Sequence, residues 1–202
     1  MTSGKKMILE IVKYGHPTLR KKGERIETVT PEIKKLVADM FETMHANKGV
    51  GLAAQQVARP LQLTVIDVTP VTDRPSTIEI NGEPRNVADF MPMVLINPEL
   101  KLVGETVKSG EGCLSFPEMY AEISRPESVD VKALNEKGKP VEFRAGGLLS
   151  RAIQHEADHL NGILFIDRMS REDKEDLKPQ LEELQAETKA ELAERQKQNR
   201  KS

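Results

Sequence analysis

The chain has 202 residues, and its 30 basic and 32 acidic side chains leave a net charge of -2. This length suits one domain with or without a tail, and the balanced charge argues against a DNA-binding protein, whose surface carries a basic excess. No apolar run approaches the roughly 20 residues that span a bilayer. The single cysteine excludes an intramolecular disulfide and favours a reducing compartment. We expect a cytoplasmic protein that binds neither membranes nor DNA.

The first half of the chain predicts one helix and one buried strand. Thr30 can cap a helix that begins at Pro31, and apolar residues keep helical spacing up to Met44, so the helix should end near residues 47–49. Residues 61–68 have the apolar pattern of a buried strand. We interpret residues 69–92, which contain four prolines, as an inserted surface loop in which residues 76–80 can form a hairpin arm.

The second half predicts short strands, a helix and a charged tail. Strands are expected over residues 93–96, 100–103, 129–134 and 141–143, followed by a helix after Ala145. The fold class is therefore α+β with mostly antiparallel pairing. Beyond Met169 the composition is almost entirely charged and polar, with three leucines on one helical face, Leu177, Leu181 and Leu184. We expect residues 1–169 to form the catalytic domain and residues 170–202 a helical tail that frays beyond its leucines.

The sharpest chemical signal is the sequence His155-Glu156-Ala157-Asp158-His159. Two histidines four residues apart lie on one face of a helix, where both imidazoles can reach one metal ion. Leu148 and Ala152 share the face of the histidines. A polar stripe lies opposite this face and comprises Ser150, Gln154, Asp158 and Asn161. The histidines and Glu156 should therefore point into the protein, at a metal site.

A catalytic metal needs at least one further protein ligand. Glu172 and Glu175 follow the histidines, but both lie in the charged tail. Cys113 is the better candidate, because glycines beside it at Gly110 and Gly112 let the backbone approach closely. One thiolate and two imidazoles leave a position open for water, which is typical of a catalytic site.

A third stretch, GVGLAAQQ at residues 49–56, is weak evidence by itself. Together with EGCLS at 111–115 and QHEADHLNG at 154–162, it resembles the three motifs of the peptide deformylases. The resemblance extends over about residues 9–168. It implies an α+β fold in which antiparallel sheets are packed around a central HExxH helix, with a C-terminal helix. It also implies removal of the formyl group from the N-terminal methionine of newly made proteins, with release of formate.

The resemblance assigns roles to individual residues. It implies metal ligands at Cys113, His155 and His159, and one divalent ion per chain, with ferrous iron expected and zinc, nickel or cobalt also accepted by such ligands. It implies a catalytic carboxylate at Glu156. The implied oxyanion donors are the Gln56 side chain and the Leu114 backbone N–H.

Other implied roles concern the substrate and the support of the site. Backbone around Val50, Gly51 and Gly112 should hold the substrate extended, and Glu111 with Arg125 should support the site. Leu148, two turns before His155, can wall an apolar pocket for an unbranched first residue such as methionine. Residue 55 is Gln where the family often has Pro, and the segment 69–92 is longer than in compact members. Substrates that emerge from the ribosome suggest a transient ribosome contact, although the nearly balanced charge of the tail does not favour strong binding to RNA.

Two other functions remain open at this stage. A general zinc peptidase would also contain HExxH, but such enzymes normally use a carboxylate or an imidazole as the third ligand. A purely structural metal site would need a fourth ligand, for which His16 or His45 is available. Neither histidine has a supporting spacing, and a closed site would explain neither Glu156 nor Gln56.

Overall fold

The computed structural model describes residues 7–199, which form an α+β fold. The helices are α1 (Pro31–Ala46), α2 (Gly147–Leu160), α3 (Arg171–Asp176) and α4 (Lys178–Asn199). The strands are β1 (Gly51–Ala53), β2 (Leu63–Ile66), β3 (Ser76–Ile80), β4 (Glu83–Arg85), β5 (Met93–Cys113), β6 (Phe116–Leu134) and β7 (Pro140–Gly146). The predicted fold class is confirmed.

The strands pair antiparallel in the order β1-β2-β5-β6-β7-β3-β4. The long β5–β6 ladder contains register shifts between Ile96 and Glu99, between Val103 and Thr106, and at Gly112/Cys113. Such irregularities bend a sheet. Helix α2 consequently contacts strands from both ends of the order, including β1, β2, β3 and β7.

Helix α1 begins and ends where the sequence predicts. The Thr30 hydroxyl accepts a hydrogen bond from the Ile33 N–H at 3.4 Å, and Pro31 occupies the first helical position. After Ala46 the chain turns at Lys48, which has a φ of 55°. This turn directs the following glycine-containing segment into β1, beneath α2.

Strands β5 and β6 are much longer than the predicted strands. The sequence predicts separate pieces at residues 93–96 and 100–103, whereas β5 continues to Cys113. Most of its residues from 99 to 110 are exposed, including Leu102 and Val107, so the alternation of buried apolar and exposed polar residues that marks a strand is missing there. Pairing with β6, not burial, keeps this part extended.

The segment 69–92 differs from the surface loop that the sequence suggests. The hairpin arm over residues 76–80 exists, and it is strand β3, which pairs with both β4 and β7. Ile78 is only 1% exposed and packs in the core between the sheet and α2. The segment is therefore part of the sheet.

Helix α2 is buried around most of its circumference. The apolar residues of α2 pack against the bent sheet. The polar stripe on the opposite face of the helix is also buried, at Ser150, Gln154 and Asp158. The Gln154 amide donates to the Pro126 carbonyl at 2.8 Å, and Asp158 accepts from arginines. Gly162, with a φ of 72°, follows the end of the helix in a left-handed conformation.

The tail forms α3 and α4, and it docks through the predicted leucines. Leu181 and Leu184 are buried in a cluster with Phe116 and Phe165. The expected fraying beyond Leu184 is not found within residues 7–199, because α4 continues to Asn199 and buries Thr188. An exposed ion pair between Arg195 and Glu10, at 2.6 Å, also ties the helix to the N-terminal segment. Residues 200–202 lie outside the described residues.

No helix within residues 7–199 is both long and apolar enough to cross a membrane.

Candidate active site

The three predicted metal ligands lie together. Cys113 lies at the end of β5, and His155 and His159 lie on α2. One potential ligand atom from each, the Cys113 Sγ and one nitrogen of each histidine, lies within 4.8 Å of the other two. The Cys113 Sγ is 3.3 Å from the His159 Nε2. Metal–ligand bonds of about 2.0–2.3 Å allow one ion to contact all three atoms.

Glu111 orients the first of the two histidines. Its Oε2 lies 3.0 Å from the His155 Nδ1, which leaves the Nε2 of His155 for a metal. Burial alone would raise the pKa of Glu111, but hydrogen bonds from His155 and Arg125 outweigh burial and hold the pKa well below its usual range. Glu111 is therefore a buried anion behind His155.

The residues present fit a divalent metal. A thiolate and two imidazoles suit ferrous iron, zinc, nickel or cobalt. Burial lowers the pKa of His159 well below its ordinary value, which favours the neutral imidazole that a metal requires. Within residues 7–199, this ligand set is the one group of three or more Cys, His or acidic residues whose ligand atoms lie close enough together to hold a metal ion.

Glu156 lies next to the ligands without belonging to the set. It is 4% exposed, and its Oε2 has no hydrogen-bond partner among the described residues. Burial raises the pKa of Glu156 to about 7, despite the opposing charges of His155 and Arg125. A buried carboxyl group with a pKa near neutrality can accept a proton and return it.

Gln56 directs its amide group toward the same point. Its Oε1 accepts from the Ala53 N–H at 2.9 Å, which turns the Nε2 toward the Cys113 Sγ at 3.6 Å and the Ser115 Oγ at 3.3 Å. Leu114 follows Cys113 in the connection from β5 to β6. Both residues line the cleft above the metal set, as the predicted oxyanion donors should.

The site opens into a cleft of about 850 Å³. All four predicted substrate-binding residues line it: Val50, Gly51, Gly112 and Leu148. Gly51 contacts the Glu156 side chain, and Gly112 lies beneath the exposed ring of Tyr120. The structure thus brings together every site residue that the sequence predicts. All of them line the cleft except His159, which is fully buried and contacts Cys113.

The alternative ligands lie elsewhere. The His16 Nδ1 accepts from the Thr18 N–H, and the His45 Nε2 lies 3.0 Å from Asp67. Glu172 and Glu175 are exposed on α3. None of these four belongs to the metal-binding group found within residues 7–199.

The sequence predicts that Glu111 and Arg125 support the site, but it misses how Arg151, Asp158 and Arg168 extend this pair. Arg125 bridges Glu111 and Asp158, with hydrogen bonds of 2.6 and 2.8 Å. Arg151 donates to Glu111 at 2.7 Å and to the Val107 carbonyl at 2.7 Å. Arg168 binds the outer side of Asp158 at 2.6 Å. The available signal was the spacing of Arg151, four residues before His155 and hence on its face.

The sequence model of the polypeptide deformylase family matches residues 8–175. The chain belongs to the peptide deformylase family. A peptide deformylase of Methylacidiphilum infernorum is 49% identical over 178 residues, which cover 88% of this chain and 93% of that relative. One of Aquifex aeolicus is 42% identical over 163 residues, which cover 81% and 88%.

Solved structures of the family share the fold. A variant of Arabidopsis thaliana peptide deformylase 1B has a TM-score of 0.78 and 34% identity, and the match covers 92% of this chain and 94% of the plant chain. Peptide deformylase from Synechococcus elongatus, in complex with actinonin, has a TM-score of 0.73 and 35% identity, with 89% and 91% covered. The family is one of metal-dependent enzymes that remove the N-formyl group from nascent peptides.

Proposed function

We propose that this chain hydrolyses the formyl amide of N-formyl-methionyl peptides with one divalent metal held by Cys113, His155 and His159. The observation that carries the proposal is the convergence of this ligand set with Glu156 and the Gln56 amide at the floor of one cleft. A lone structural metal site would need neither the buried carboxyl group nor the amide donor.

The chain's own residues then divide the chemistry. Glu156 accepts a proton from the attacking water and passes it to the leaving amine, for which a pKa of about 7 is suitable. The Gln56 Nε2 and the Leu114 backbone N–H donate to the oxyanion that develops on the formyl oxygen. Glu111 holds His155 in its orientation throughout.

The metal, which we propose to be ferrous iron, supplies Lewis acidity and lowers the pKa of water. The iron assignment comes from the family resemblance, since cysteine and histidine also bind zinc, nickel and cobalt. Cys113 is half-buried beside the cleft, and both a thiolate and a ferrous ion are oxidisable. Air should therefore inactivate the iron form, whereas a zinc form should resist air.

The cleft suits an extended peptide with an apolar first side chain. Leu148 is buried and forms part of the cleft wall about two helical turns before His155, where an unbranched thioether can pack. An acetyl group carries one more methyl than a formyl group, and this methyl must fit between the metal and the oxyanion donors. We therefore propose strong discrimination against acetyl-methionyl peptides.

The cellular setting is proposed from the substrate. Formyl-methionine occurs on chains leaving the ribosome, so we propose that the enzyme acts in the cytoplasm and contacts the ribosome transiently, through the helical tail of residues 170–202. This domain division rests on the composition of the tail and on its position away from the cleft. We expect no DNA binding.

The test is an anaerobic assay of formate release from formyl-methionyl and acetyl-methionyl peptides, with defined metals. Cys113→Ala should lose metal and activity together, because two imidazoles alone hold a metal poorly. His45→Ala is the matched control, since His45 pairs with Asp67 outside the cleft. Full metal occupancy in Cys113→Ala, or equal rates on the two peptide classes, would contradict the proposal.

A further inference from the structure

The segment 69–92 supplies part of the cleft wall. Val71 and Arg74 both line the cleft. The segment is fixed to the first turn of α2, because the Leu148 N–H donates to the Pro75 carbonyl at 2.9 Å and the Leu149 N–H donates to the Ser76 hydroxyl at 3.1 Å. Arg74 immediately precedes Pro75 and Ser76 in the chain. The backbone at Arg74 is therefore held close to the helix that carries the metal-binding histidines by these two hydrogen bonds.

The Arg74 guanidinium lies against the edge of β5. Its Nη1 donates to the Gly110 carbonyl at 3.4 Å, and its Nη2 donates to the Ser109 hydroxyl at 3.2 Å. One edge of β5 pairs with β6 in this region, whereas β2 pairs with β5 at Met93–Ile96, far from the site. The second edge of β5 near Gly110 therefore borders the cleft, with Arg74 above it.

The distance along β5 relates Arg74 to the reacting group. Gly110 precedes Cys113 by three residues, and three residues of extended chain span about 10 Å. A peptide that places its formyl group at Cys113 and runs extended beside β5 reaches Gly110 with its third residue. Such strand addition is a common way for a sheet edge to bind a peptide.

The charge of Arg74 is available for a ligand. Within residues 7–199, Arg74 forms no ion pair with a carboxylate, whereas the neighbouring Arg151 is engaged by Glu111. The two contacts of Arg74 use two of the five N–H donors of a guanidinium. The remaining donors of this half-buried side chain can bind a carboxylate.

We propose that Arg74 is a specificity-determining residue that binds a substrate carboxylate about three residues from the formyl group. The carboxylate is an acidic side chain at the third residue or the C-terminus of a tripeptide. This inference rests on the proposed function and extends it to the downstream part of the substrate.

Four formyl peptides test the proposal and separate the two carboxylate sources. They are formyl-Met-Ala-Asp-amide, formyl-Met-Ala-Asn-amide, formyl-Met-Ala-Lys-amide and formyl-Met-Ala-Ser with a free C-terminus. The wild-type protein should show a KM about fivefold lower for the Asp peptide than for the Asn peptide at low ionic strength, and a smaller difference at 1 M salt. A free C-terminus that lowers KM without an acidic side chain assigns the site to the terminal carboxylate.

Arg74→Ala should erase the preference, by raising the KM for the Asp peptide to that for the Asn peptide. Arg74→Lys should keep part of the preference, and Arg74→Glu should reverse it in favour of the Lys peptide. Arg85→Ala is the matched control, because Arg85 is exposed on β4 of the same segment and does not line the cleft. Three outcomes would overturn the proposal: no preference in the wild-type protein, a preference that survives Arg74→Ala, or an equal loss on all four peptides.

Binding of the deformylated peptides distinguishes this inference from the proposed function. If the wild-type protein released formate from none of the peptides, the proposed function would fail. Arg74 would then be judged by calorimetry with Met-Ala-Asp-amide and Met-Ala-Asn-amide. Tighter binding of the Asp peptide to the wild-type protein and not to Arg74→Ala supports the carboxylate site, and equal binding overturns it.

Discussion

Gly51 lies so close to the carboxyl group of Glu156 that a Cβ on residue 51 would stand 2.8 Å from the Glu156 Cδ and 2.9 Å from its Cγ. The contact joins β1 to α2 at the floor of the cleft. Because the Glu156 side chain is buried, it has little room to move away. The absence of a side chain at Gly51 therefore leaves the space that the Glu156 carboxyl group occupies.

We predict that Gly51→Ala lowers kcat by displacing Glu156, while the metal stays bound because the three atoms nearest to a Cβ at residue 51 all belong to Glu156. Glu156→Ala should also retain metal and lose at least about 10²-fold in kcat, the usual contribution of a general acid–base. Steady-state kinetics and metal analysis of both variants check this.

A double-variant cycle decides whether Gly51 acts through Glu156. If it does, adding Gly51→Ala to Glu156→Ala should cost little further activity, because the displaced group is already absent. Additive losses would mean that residue 51 matters chiefly for binding the substrate. Near-normal turnover of Glu156→Ala would refute the assigned mechanism altogether.

Gln56 offers a second prediction, on the oxyanion. Gln56→Ala should lower kcat by about 10²-fold or more, as does removal of other single oxyanion donors. Gln56→Glu keeps the acceptor for the Ala53 N–H but replaces the donor with an anion, so it should be no better than Ala. Gln55→Ala serves as the control. Gln55 is the sequence neighbour of Gln56, and its own side chain has no hydrogen-bond partner within residues 7–199. Equal losses at both positions would deny Gln56 a specific role.

The third prediction concerns the buried charges behind the site. Arg125 is 3% exposed and bonds to both Glu111 and Asp158, so Arg125→Met leaves two buried carboxylates without their shared partner. We expect the free energy of unfolding to fall by about 3–5 kcal/mol and metal affinity to fall by about 10–100-fold. Denaturant titration and competition with a chelator measure the two effects.

Arg144→Met is the matched control for Arg125→Met. Arg144 also forms a two-bond pair, with Asp130, but this pair lies exposed on the outer side of the sheet. Its removal should change stability little and metal affinity not at all, since exposed ion pairs are screened by solvent. Similar effects of both substitutions would argue against a special role of the buried network.

The local signals of the sequence predict the ligand-bearing helix and α1, because capping residues, helical spacing and the HExxH pair all act within a few residues of one another. They also predict Cys113 as the third ligand. They predict residues 76–80 as a hairpin arm of a surface loop but do not predict that this arm joins the core, because what buries Ile78 is β7 and α2, more than 60 residues further along the chain. This pairing is what carries Arg74 into the cleft.

The buried arginines show a second limit. An arginine or aspartate on a helix ordinarily indicates a solvated face, and Asp158 accordingly falls on the predicted polar stripe. The structure buries it because β6 brings Arg125 to the same place, which neutralises the charge. Only the three-dimensional pairing of α2 with β6 makes these charges compatible with the interior.

A fourth prediction concerns pH-dependent stability through Asp167. Its carboxylate accepts from the Leu164 N–H at 2.8 Å and from the Arg20 Nη2 at 3.1 Å, and Lys174 adds a positive charge nearby. Burial raises the pKa of Asp167, but Arg20 and the Leu164 N–H outweigh burial and lower it. A lowered pKa in the folded state stabilises the fold above the unfolded pKa of about 3.9, and the contribution disappears as pH falls through the folded pKa.

Asp167→Asn should therefore lower the denaturant midpoint at pH 7, and its deficit relative to the wild-type protein should shrink below about pH 4. Midpoints measured from pH 7 to pH 3 provide the test. Glu175→Gln, an exposed change on α3, should show no such trend. A deficit that stays constant over the whole range would remove Asp167 as the source of the pH dependence.

The last prediction separates the tail from the chemistry. No residue from 170 to 199 lines the cleft, and the apolar contacts of the tail come from its first half, at Leu181 and Leu184. Truncation after Ala186 removes the buried Thr188 and the exposed pair of Arg195 with Glu10, yet leaves both leucines. We expect unchanged turnover of a short formyl peptide and a small loss of stability.

Truncation after Met169 has a different consequence. It exposes the surface of Phe116 and Phe165 on which Leu181 and Leu184 pack, and each buried leucine contributes about 1.5–3 kcal/mol. The melting temperature should fall clearly on truncation after Met169, whereas truncation after Ala186 should lower it little. Ribosome co-sedimentation of the full chain and of both truncations measures whether the tail binds ribosomes, independently of peptide turnover. A large loss of peptide turnover on truncation after Ala186 would mean that the end of α4 reaches the active site, contrary to the separation of tail and cleft.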